Sequence, residues 1–255
     1  MSEKKKDLLK STIVLFVILL VWFLLSKAGV FSAYVFPGPG RVFETFIKML
    51  KSGELLKNML ASLGRVVAGF MISFVLAFVL GVISSLFPKA DPFYRPILEF
   101  LRHVPPMSLI PLLILWFGIG ETSKIIVIVL TSFFPIFMNT ESGLKNCDRK
   151  LLEVGEMLHM SESEKFFQIK LPYAFPDILV GMQIGLGYSW RAIIGAEMIA
   201  AASGLGYMIL DSQSLSRSDK VMVGIIAIGV LGLLIDFLFN RLTKRINNWK
   251  ELNNE

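Results

Sequence analysis

The stretch LASLGRVVAGFMISFVLAFVLGVISSLF, residues 60–87, contains one charged side chain, that of Arg65. A helix needs about 20 mostly apolar residues to cross the hydrocarbon layer of a bilayer, which is about 30 Å thick, because it rises about 1.5 Å per residue. This stretch is therefore long enough and apolar enough to span a membrane.

Five further stretches of the 255-residue chain have the same character. The whole chain is 54% hydrophobic and 18% charged, whereas soluble domains have about 45–50% and about 25%. This composition excludes a soluble globular protein and predicts an all-α membrane protein with about six transmembrane helices in a single domain, residues 1–255. The predicted spans cover about residues 11–30, 60–87, 97–119, 124–143, 175–202 and 221–239.

Two of these spans have special features. The first also fits a secretory signal peptide, with a basic start, an apolar core and small residues near 26–28. A true span is favoured because cleavage would leave an odd number of crossings.

The third predicted span is interrupted by Pro105, Pro106 and Pro111, and each proline removes a helical hydrogen bond. Non-helical backbone at membrane depth requires protein or a watery cavity beside it, so we expect this span to bend or to start late, near a pathway.

The distribution of lysine and arginine predicts the orientation. With a cytoplasmic N-terminus, the inside segments hold 16 of these residues and the outside segments hold 8, as the positive-inside rule requires. Both termini are therefore predicted to be cytoplasmic. The net charge of +6 follows from this topology and gives no reason to expect a nucleic-acid partner.

The second span carries a ladder at four-residue steps. Small side chains on one helix face allow another helix to approach closely, so this face is predicted to be an interface, either within one subunit or between two. The ladder consists of Ala61, Arg65, Gly69, Ser73, Ala77, Gly81 and Ser85.

Among the ionisable side chains inside predicted spans are Arg65, Arg191 and Glu197. Charges there usually face a bundle interior or a pathway and find a partner. We predict a bridge between Arg65 and Glu197, which either fixes helix register or lines the path. Arg191 is the better candidate for contact with an anionic solute. Its neighbours would add polar and aromatic contacts to such a path: Gln183, Tyr188, Ser189 and Trp190.

The sequence lacks the residue patterns that several kinds of catalytic and binding site require. It contains no G-x-x-x-x-G-K-[ST], H-E-x-x-H or G-x-S-x-G pattern. With one cysteine, Cys147, and two histidines, it offers no cysteine cluster for a metal. We therefore predict no catalytic residues, no metal site and no cofactor in this chain. Any energy from a nucleotide must come from another subunit.

The longest predicted cytoplasmic connection is residues 144–174. It contains a helical piece over about residues 150–159 and a second piece that begins at Ser161, with Glu164 placed to complete a capping box. Apolar side chains cluster where the two pieces meet, and they need cover from the chain's own helices or from a cytoplasmic partner. They are Met157, Leu158, Met160, Phe166 and Phe167.

The spacing within this connection resembles the EAA loop of ABC importer permeases. Glu153-Val154-Gly155, three residues, His159, nine residues and Ile169-Lys170-Leu171-Pro172 follow the pattern E-A-A, three residues, G, nine residues, I-x-L-P. Gly155 replaces the second alanine. His159 replaces a glycine that usually supplies a positive φ at the joint, a conformation that histidine adopts only at some cost.

The resemblance extends over most of residues 36–236, through ASLGR at 61–65, WFGIGETSK at 116–124 and AEMIAAASGLGY at 196–207. These segments are similar to the nitrate, sulfonate and taurine branch of the permeases. The resemblance implies a type I importer fold in a bacterial inner membrane. It also implies a permease homodimer surrounded by lipid, an extracytoplasmic solute-binding protein, and two cytoplasmic ATPase subunits that hold ATP and Mg. In that family the EAA loop forms a coupling helix seated on the ATPase. We assign this coupling role to Glu153, Gly155, Met157, Leu158, His159, Met160, Phe166, Leu171 and Pro172.

The solute stays open at this stage. A small organic anion such as a sulfonate fits Arg191, whereas a flat neutral solute such as a thiamine-precursor pyrimidine would stack on Trp190 and Tyr188. An alternative of another class, a membrane-embedded enzyme or scaffold, is disfavoured because no nucleophile or metal constellation is present.

Overall fold

The computed structural model describes residues 3–29, 32 and 34–252, with side chains over 12–14, 16–29, 32 and 34–243. The chain is 87% helical, and no strand occurs in the described residues. Short 3₁₀ turns at Pro88–Ala90 and Pro106–Leu109 and a π-helical turn at Phe166–Lys170 link some of the helices. In chain order the α-helices are α1 (Glu3–Lys27), α2 (Pro39–Lys51), α3 (Glu54–Leu86), α4 (Asp91–His103), α5 (Ile110–Phe117), α6 (Glu121–Lys145), α7 (Arg149–Met157), α8 (Glu162–Lys165), α9 (Leu171–Ala200), α10 (Leu205–Ser214) and α11 (Ser218–Leu252).

Within the described part of the chain, three helices are individually long and apolar enough to cross a membrane: α3, α6 and the Ser218–Thr243 part of α11. The number rises to five if each of two bent helix pairs counts as one span. A shorter apolar helix, Thr12–Lys27 within α1, occupies the first predicted span; residue 30, at the end of that prediction, lies outside the described residues. The all-α membrane class is therefore confirmed.

The third predicted span, residues 97–119, is not one continuous helix. The segments Pro88–His103 and Pro106–Phe117 meet at 86°. The predicted bend is confirmed, and Pro105 and Pro106 lie at it, one residue beyond the end of α4 at His103. The fifth predicted span corresponds to α9, which is followed by a 43° bend before α10.

The centre of the protein is the contact between α6 and α9, and glycines allow it. A Cβ on Gly181 would lie 2.7 Å from the Asn139 Cβ and 2.9 Å from the Pro135 carbonyl oxygen. A Cβ on Gly185 would lie 3.1 Å from the Ser132 carbonyl oxygen. Because two of these obstacles are backbone atoms that cannot swing away, only glycine fits at 181 and 185 without moving a helix.

The small-residue ladder of α3 packs against α6 within the same subunit. A Cβ on Gly69 would collide with the Ile128 side chain at 2.7 Å, and one on Gly81 would lie 2.9 Å from the Thr140 Cγ2. Between them, the Ser73 hydroxyl donates to the Val129 carbonyl oxygen at 3.2 Å. The structure thus resolves the alternative left open by the sequence in favour of packing within one subunit.

Candidate functional site

The two short helices of the 144–174 connection are capped by their own side chains. The Asp148 carboxylate accepts the Lys150 backbone N–H at 2.9 Å and caps α7. At α8 the predicted capping box is confirmed. The Glu164 backbone N–H donates to the Ser161 hydroxyl at 3.3 Å, and the Ser161 backbone N–H donates to the Glu164 carboxylate at 2.8 Å. Two independent caps give this connection a defined shape.

His159 forms the joint between the helices in a left-handed conformation, with φ of 54°. Its N–H donates to the Glu156 carbonyl at 2.9 Å, and the Met160 N–H donates to the Gly155 carbonyl at 3.0 Å. These two bonds are the Schellman pattern that ends a helix and normally uses glycine at the left-handed position. Histidine therefore adopts here the positive φ that glycine usually supplies at this joint.

Gly155 is buried where α7 contacts the π-helical turn. A Cβ at this position would lie 2.9 Å from the Ile169 Cδ1 and 3.2 Å from the Lys165 Cγ. The Ile169 methyl is the end of a flexible side chain, so the position tolerates one extra methyl group at small cost. The alanine of the family pattern therefore suits this position, and larger residues do not.

The apolar side chains of the joint divide into a buried and an exposed group. Phe166 and Leu171 pack beneath the loop against α6 and α9, whereas Met160 and Pro172 line an open groove of about 490 Å³. The exposed group, with Glu153, forms what we call the coupling surface. It consists of Leu151, Glu153, Val154, Met157 (79% exposed), Leu158 (69%) and Phe167 (66%).

Leu151 and Val154 were not among the predicted coupling residues, although their spacing with Leu158 indicates that the three side chains share one helix face. Positions i, i+3 and i+7 lie on one face of a helix.

Cys147 lies just before this surface and is partly buried. Burial raises the pKa of its thiol, which keeps the thiol protonated and unreactive.

The predicted bridge between Arg65 and Glu197 is present, with 2.6 Å between Arg65 Nη1 and Glu197 Oε1. The Arg65 guanidinium also forms a two-pronged pair with Glu121, at 2.6 and 2.9 Å. Its remaining N–H groups donate to the Ser203 carbonyl and hydroxyl at 2.7 and 2.8 Å. One arginine therefore joins α3, α6 and the α9–α10 connection.

The Glu197 side chain is 0% exposed and uses both carboxylate oxygens. It accepts the Ser62 hydroxyl at 2.8 Å and the Gly206 backbone N–H at 3.0 Å, in addition to Arg65. Gly204 lies against it with φ of 113°, and a Cβ there would lie 2.2 Å from the carboxyl group. We call this set the Arg65 network: Ser62, Arg65, Glu121, Glu197, Ser203, Gly204 and Gly206.

The sequence did not identify Ser62 and Glu121 as partners in this network. Ser62 lies three residues before Arg65 and so shares its helix face. Glu121 begins α6, and nothing in the sequence alone indicates that this helix end meets the middle of α3.

The other predicted path residues lie on different sides of α9. Tyr188 and Arg191 are exposed, and the guanidinium carbon is 6.0 Å from the tyrosine ring centroid. Gln183 is half-buried, whereas the Ser189 hydroxyl is buried and donates to the Gly185 carbonyl at 2.9 Å. Trp190 is only 6% exposed and donates its indole N–H to the Ile228 carbonyl at 3.2 Å.

Two predicted contacts with solute are therefore corrected. Ser189 uses its hydroxyl on the preceding turn of its own helix, and Trp190 is a core residue that packs against α11. Arg191 instead borders a cleft of about 390 Å³ between α9 and α11, together with Asp236. Asp236, an exposed carboxylate within a predicted span, was overlooked by the sequence reasoning although its charge in an apolar stretch was a direct signal.

A second cleft, of about 400 Å³, opens beside the middle turns of α6 and α9, where the end of α4 reaches them. Arg102 lies at its rim and donates to the Met138 sulfur at 3.2 Å. The described residues contain no group of three or more His, Cys, Asp or Glu side chains placed to hold a metal ion.

The chain was compared with known proteins. It matches the family described as "Binding-protein-dependent transport system inner membrane component" over residues 69–248. It is 35% identical to the aliphatic sulfonates transport permease protein SsuC of Bacillus subtilis, over 98% of this chain and 90% of that protein. It is 32% identical to the taurine transport system permease protein TauC of Escherichia coli, over 91% and 86%. It is 30% identical to the bicarbonate transport system permease protein CmpB of Synechocystis, over 92% and 87%.

Among solved structures, the chain resembles one from the MetNI methionine ABC transporter in an inward-facing conformation. The TM-score is 0.67 at 18% identity, over 77% of this chain and 97% of the other. At this identity the likeness concerns the fold alone, and it confirms the type I ABC importer permease fold implied by the loop.

Proposed function

The chain belongs to the family of binding-protein-dependent transport system inner membrane components, and from this premise we propose how it works. It acts as a homodimer that forms the translocation path of an ATP-driven importer. Two cytoplasmic ATPase subunits hold ATP and Mg, and a solute-binding protein delivers the solute from outside. Both termini face the cytoplasm.

The observation that carries this proposal is the coupling surface. Met157, Leu158 and Phe167 are more than 60% exposed, next to an open groove, on a joint held by caps and by a left-handed residue. Exposed apolar side chains on an ordered joint mark an interaction site. A partner that contacts this surface differently in two states would shift the permease between two conformations.

Glu153 offers the sharpest test of coupling. Its side chain is 59% exposed and its pair with Arg149 is long, at 3.3 Å, so its replacement leaves the fold intact. In proteoliposomes with the partner subunits, we expect Glu153→Ala to reduce uptake about tenfold while ATP hydrolysis continues, which is a loss of about 1.4 kcal/mol of coupling.

Glu162→Ala is the matched control, because Glu162 is 83% exposed in the same connection but lies outside the coupling surface. Uptake by this control should stay at the wild-type level. Wild-type uptake by the Glu153 variant would remove Glu153 from coupling.

For the solute, we propose a small anion of the organic sulfonate type. Relatives named for aliphatic sulfonates, taurine and bicarbonate transport all imply solutes with an anionic group. Arg191 supports this, because its exposed guanidinium lies on a membrane helix and no ion pair among the described side chains involves it. We expect Arg191→Gln to lower uptake of an alkanesulfonate while dimer and ATPase assembly persist. Unchanged uptake would remove Arg191 from the path.

The neutral-solute alternative has less support. It relied on two aromatic surfaces, and Trp190 presents almost none of its ring. Tyr188 alone, 45% exposed, remains for stacking.

A further inference from the structure

We infer that the cleft between α4, α6 and α9, which we call the Arg102 cleft, binds an organic anion with an apolar substituent, and that Arg102 holds the anionic group. This inference rests on the proposed import function and deepens it. The residues that carry it are Arg102, Thr131, Phe134, Asn139, Ile184 and Tyr188.

The position of the cleft fits a path. Thr131 belongs to the middle of the 25-residue helix α6, and Ile184 and Tyr188 belong to the middle of α9. From there the cleft extends along α6 to Asn139, six residues before the end of that helix. Its volume, about 400 Å³, is within the range of sites for small ligands, about 300–1,000 Å³.

The backbone beside the cleft indicates water. Val104 and Pro106 line it, and they flank the point where α4 has ended and the chain turns through 86°. Open backbone at membrane depth is tolerated against protein or a water-filled cavity, and not against lipid. The broken span thus favours a hydrated cleft, as a solute path requires.

The charge in the cleft is of one sign. Its lining contains one cation, Arg102, and no carboxylate. The partner of Arg102 is the uncharged Met138 sulfur, and no ion pair among the described side chains involves it. Arg102 also borders the neighbouring pocket, which Glu99, Glu141 and Arg95 line as well. There Glu141 is paired with Arg95 at 3.0 Å and with Lys145 at 2.8 Å. Because the Arg102 guanidinium forms no such pair, it makes the cleft selective for anions.

The apolar walls of the cleft favour an organic anion over an inorganic one. Leu130, Phe134 and Ile184 give the cleft aliphatic and aromatic sides. Tyr188 and Asn139 add polar groups. An anion that carries an alkyl chain would place its charge at Arg102 and bury its methylene groups against these walls, with a gain for each added group.

Cysteine labelling tests the inference without depending on transport. In a Cys147→Ser background, Thr131→Cys is placed in the full-length chain with its partner subunits in membrane vesicles. The vesicles are treated with methanethiosulfonate reagents that carry either a sulfonate or a trimethylammonium group. We expect the anionic reagent to react about tenfold faster, because the Arg102 charge raises the local anion concentration.

Two substitutions of Arg102 test whether its charge causes the faster reaction of the anionic reagent. Adding Arg102→Gln should abolish the tenfold preference, whereas Arg102→Lys should retain most of it. Arg241→Gln, an exposed arginine near the far end of α11, should leave it unchanged. Val75→Cys, at an exposed position in the apolar part of α3 that does not line the cleft, should react with neither reagent.

Protection by alkanesulfonates tests the apolar part of the site. Butanesulfonate should slow labelling of Thr131→Cys at lower concentration than methanesulfonate, by about fourfold for each added methylene group that is fully buried.

Three outcomes would overturn the inference: no labelling of Thr131→Cys, equal rates for the two reagents, or equal protection by the two sulfonates. Failure of the proposed function would differ, because the labelling preference would persist in vesicles that show no ATP-dependent uptake.

Discussion

Replacement of Arg65 by alanine should be among the most destabilising single changes in this protein. The substitution removes five hydrogen bonds, two to Glu121, one to Glu197 and two to Ser203. It also leaves the Glu197 carboxylate, which is 0% exposed, without its counter-charge. Removing one partner of a buried pair typically costs about 3–5 kcal/mol, and we expect the free energy of unfolding to fall by that amount.

Glu197→Gln should cost less, about 2 kcal/mol. The amide keeps the shape of the side chain and one acceptor oxygen, and Arg65 keeps its two bonds to Glu121. Because the two residues share one interaction, the double variant should cost less than the sum of the single variants by about 1–2 kcal/mol.

The free energy of unfolding can be measured by titrating detergent micelles with a denaturing detergent and following tryptophan fluorescence. Trp190, buried between α9 and α11, reports directly on the core. Arg149→Ala is the control, because this arginine is 91% exposed in a pair with Glu153 and should change stability by less than about 0.5 kcal/mol. The reasoning is refuted if Arg65→Ala unfolds within 1 kcal/mol of the wild type, a threshold well below the range expected for a buried pair.

Three further substitutions probe backbone conformation and packing. His159→Gly should stabilise the loop joint by about 0.5–1 kcal/mol, since glycine adopts the φ of 54° without strain; slower hydrogen exchange of the Met160 amide would show this, and faster exchange would contradict it. Gly181→Val should lower the unfolding midpoint in the same titration by separating α6 from α9, because its side chain would meet the Pro135 carbonyl oxygen. A midpoint within error of the wild type would show that the helices can yield. Thr140→Val should raise stability by about 1 kcal/mol or leave it unchanged, because the buried Thr140 hydroxyl has no hydrogen-bond partner among the described residues; a loss above about 1 kcal/mol would reveal a partner.

Features that depend on local rules were predictable from the sequence. The capping box at Ser161 and Glu164 follows from a four-residue motif. The family pattern gave the position of the joint at His159, whereas its left-handed conformation came from the structure. The bend after α4 follows from two consecutive prolines. In each case residues close together in the sequence determine the backbone, so no knowledge of the tertiary arrangement was needed.

Features that depend on which helices meet were harder to predict. The pairing of Arg65 with Glu197 was foreseen because two opposite charges in apolar spans need partners, whereas Glu121 was not, because it lies at a helix end where water is available. Trp190 was predicted to line the path, but its side chain is buried, because its position depends on contact with α11. Gly232 leaves room for the indole, whose nitrogen would lie only 3.0 Å from a Cβ at that position.

The Arg102 cleft was missed for a related reason. Arg102 lies at the boundary of a predicted span, where an arginine ordinarily reaches the interface and attracts no attention. Only the 86° turn that follows α4 brings this side chain to the middle turns of α6 and α9. The sequence predicted the turn, but the direction of the turn came from the structure.

The position of the rigid parts restricts how the coupling surface can act on the path. From Glu162 to Ala200 the chain is one helical rod, through α8, the π-helical turn and α9. At about 1.5 Å per residue, a rod of this kind is longer than a bilayer is thick. Its far end is fixed to α3 and α6 by the Arg65 network, so a push on Phe167 moves these three helices together. By contrast, α4 has no buried residue and turns through 86° into α5. A movement that opens or closes the Arg102 cleft must therefore displace α4 relative to the α6–α9 pair. Under the coupling role proposed above, a partner on the coupling surface would act on the cleft by moving its rigid side.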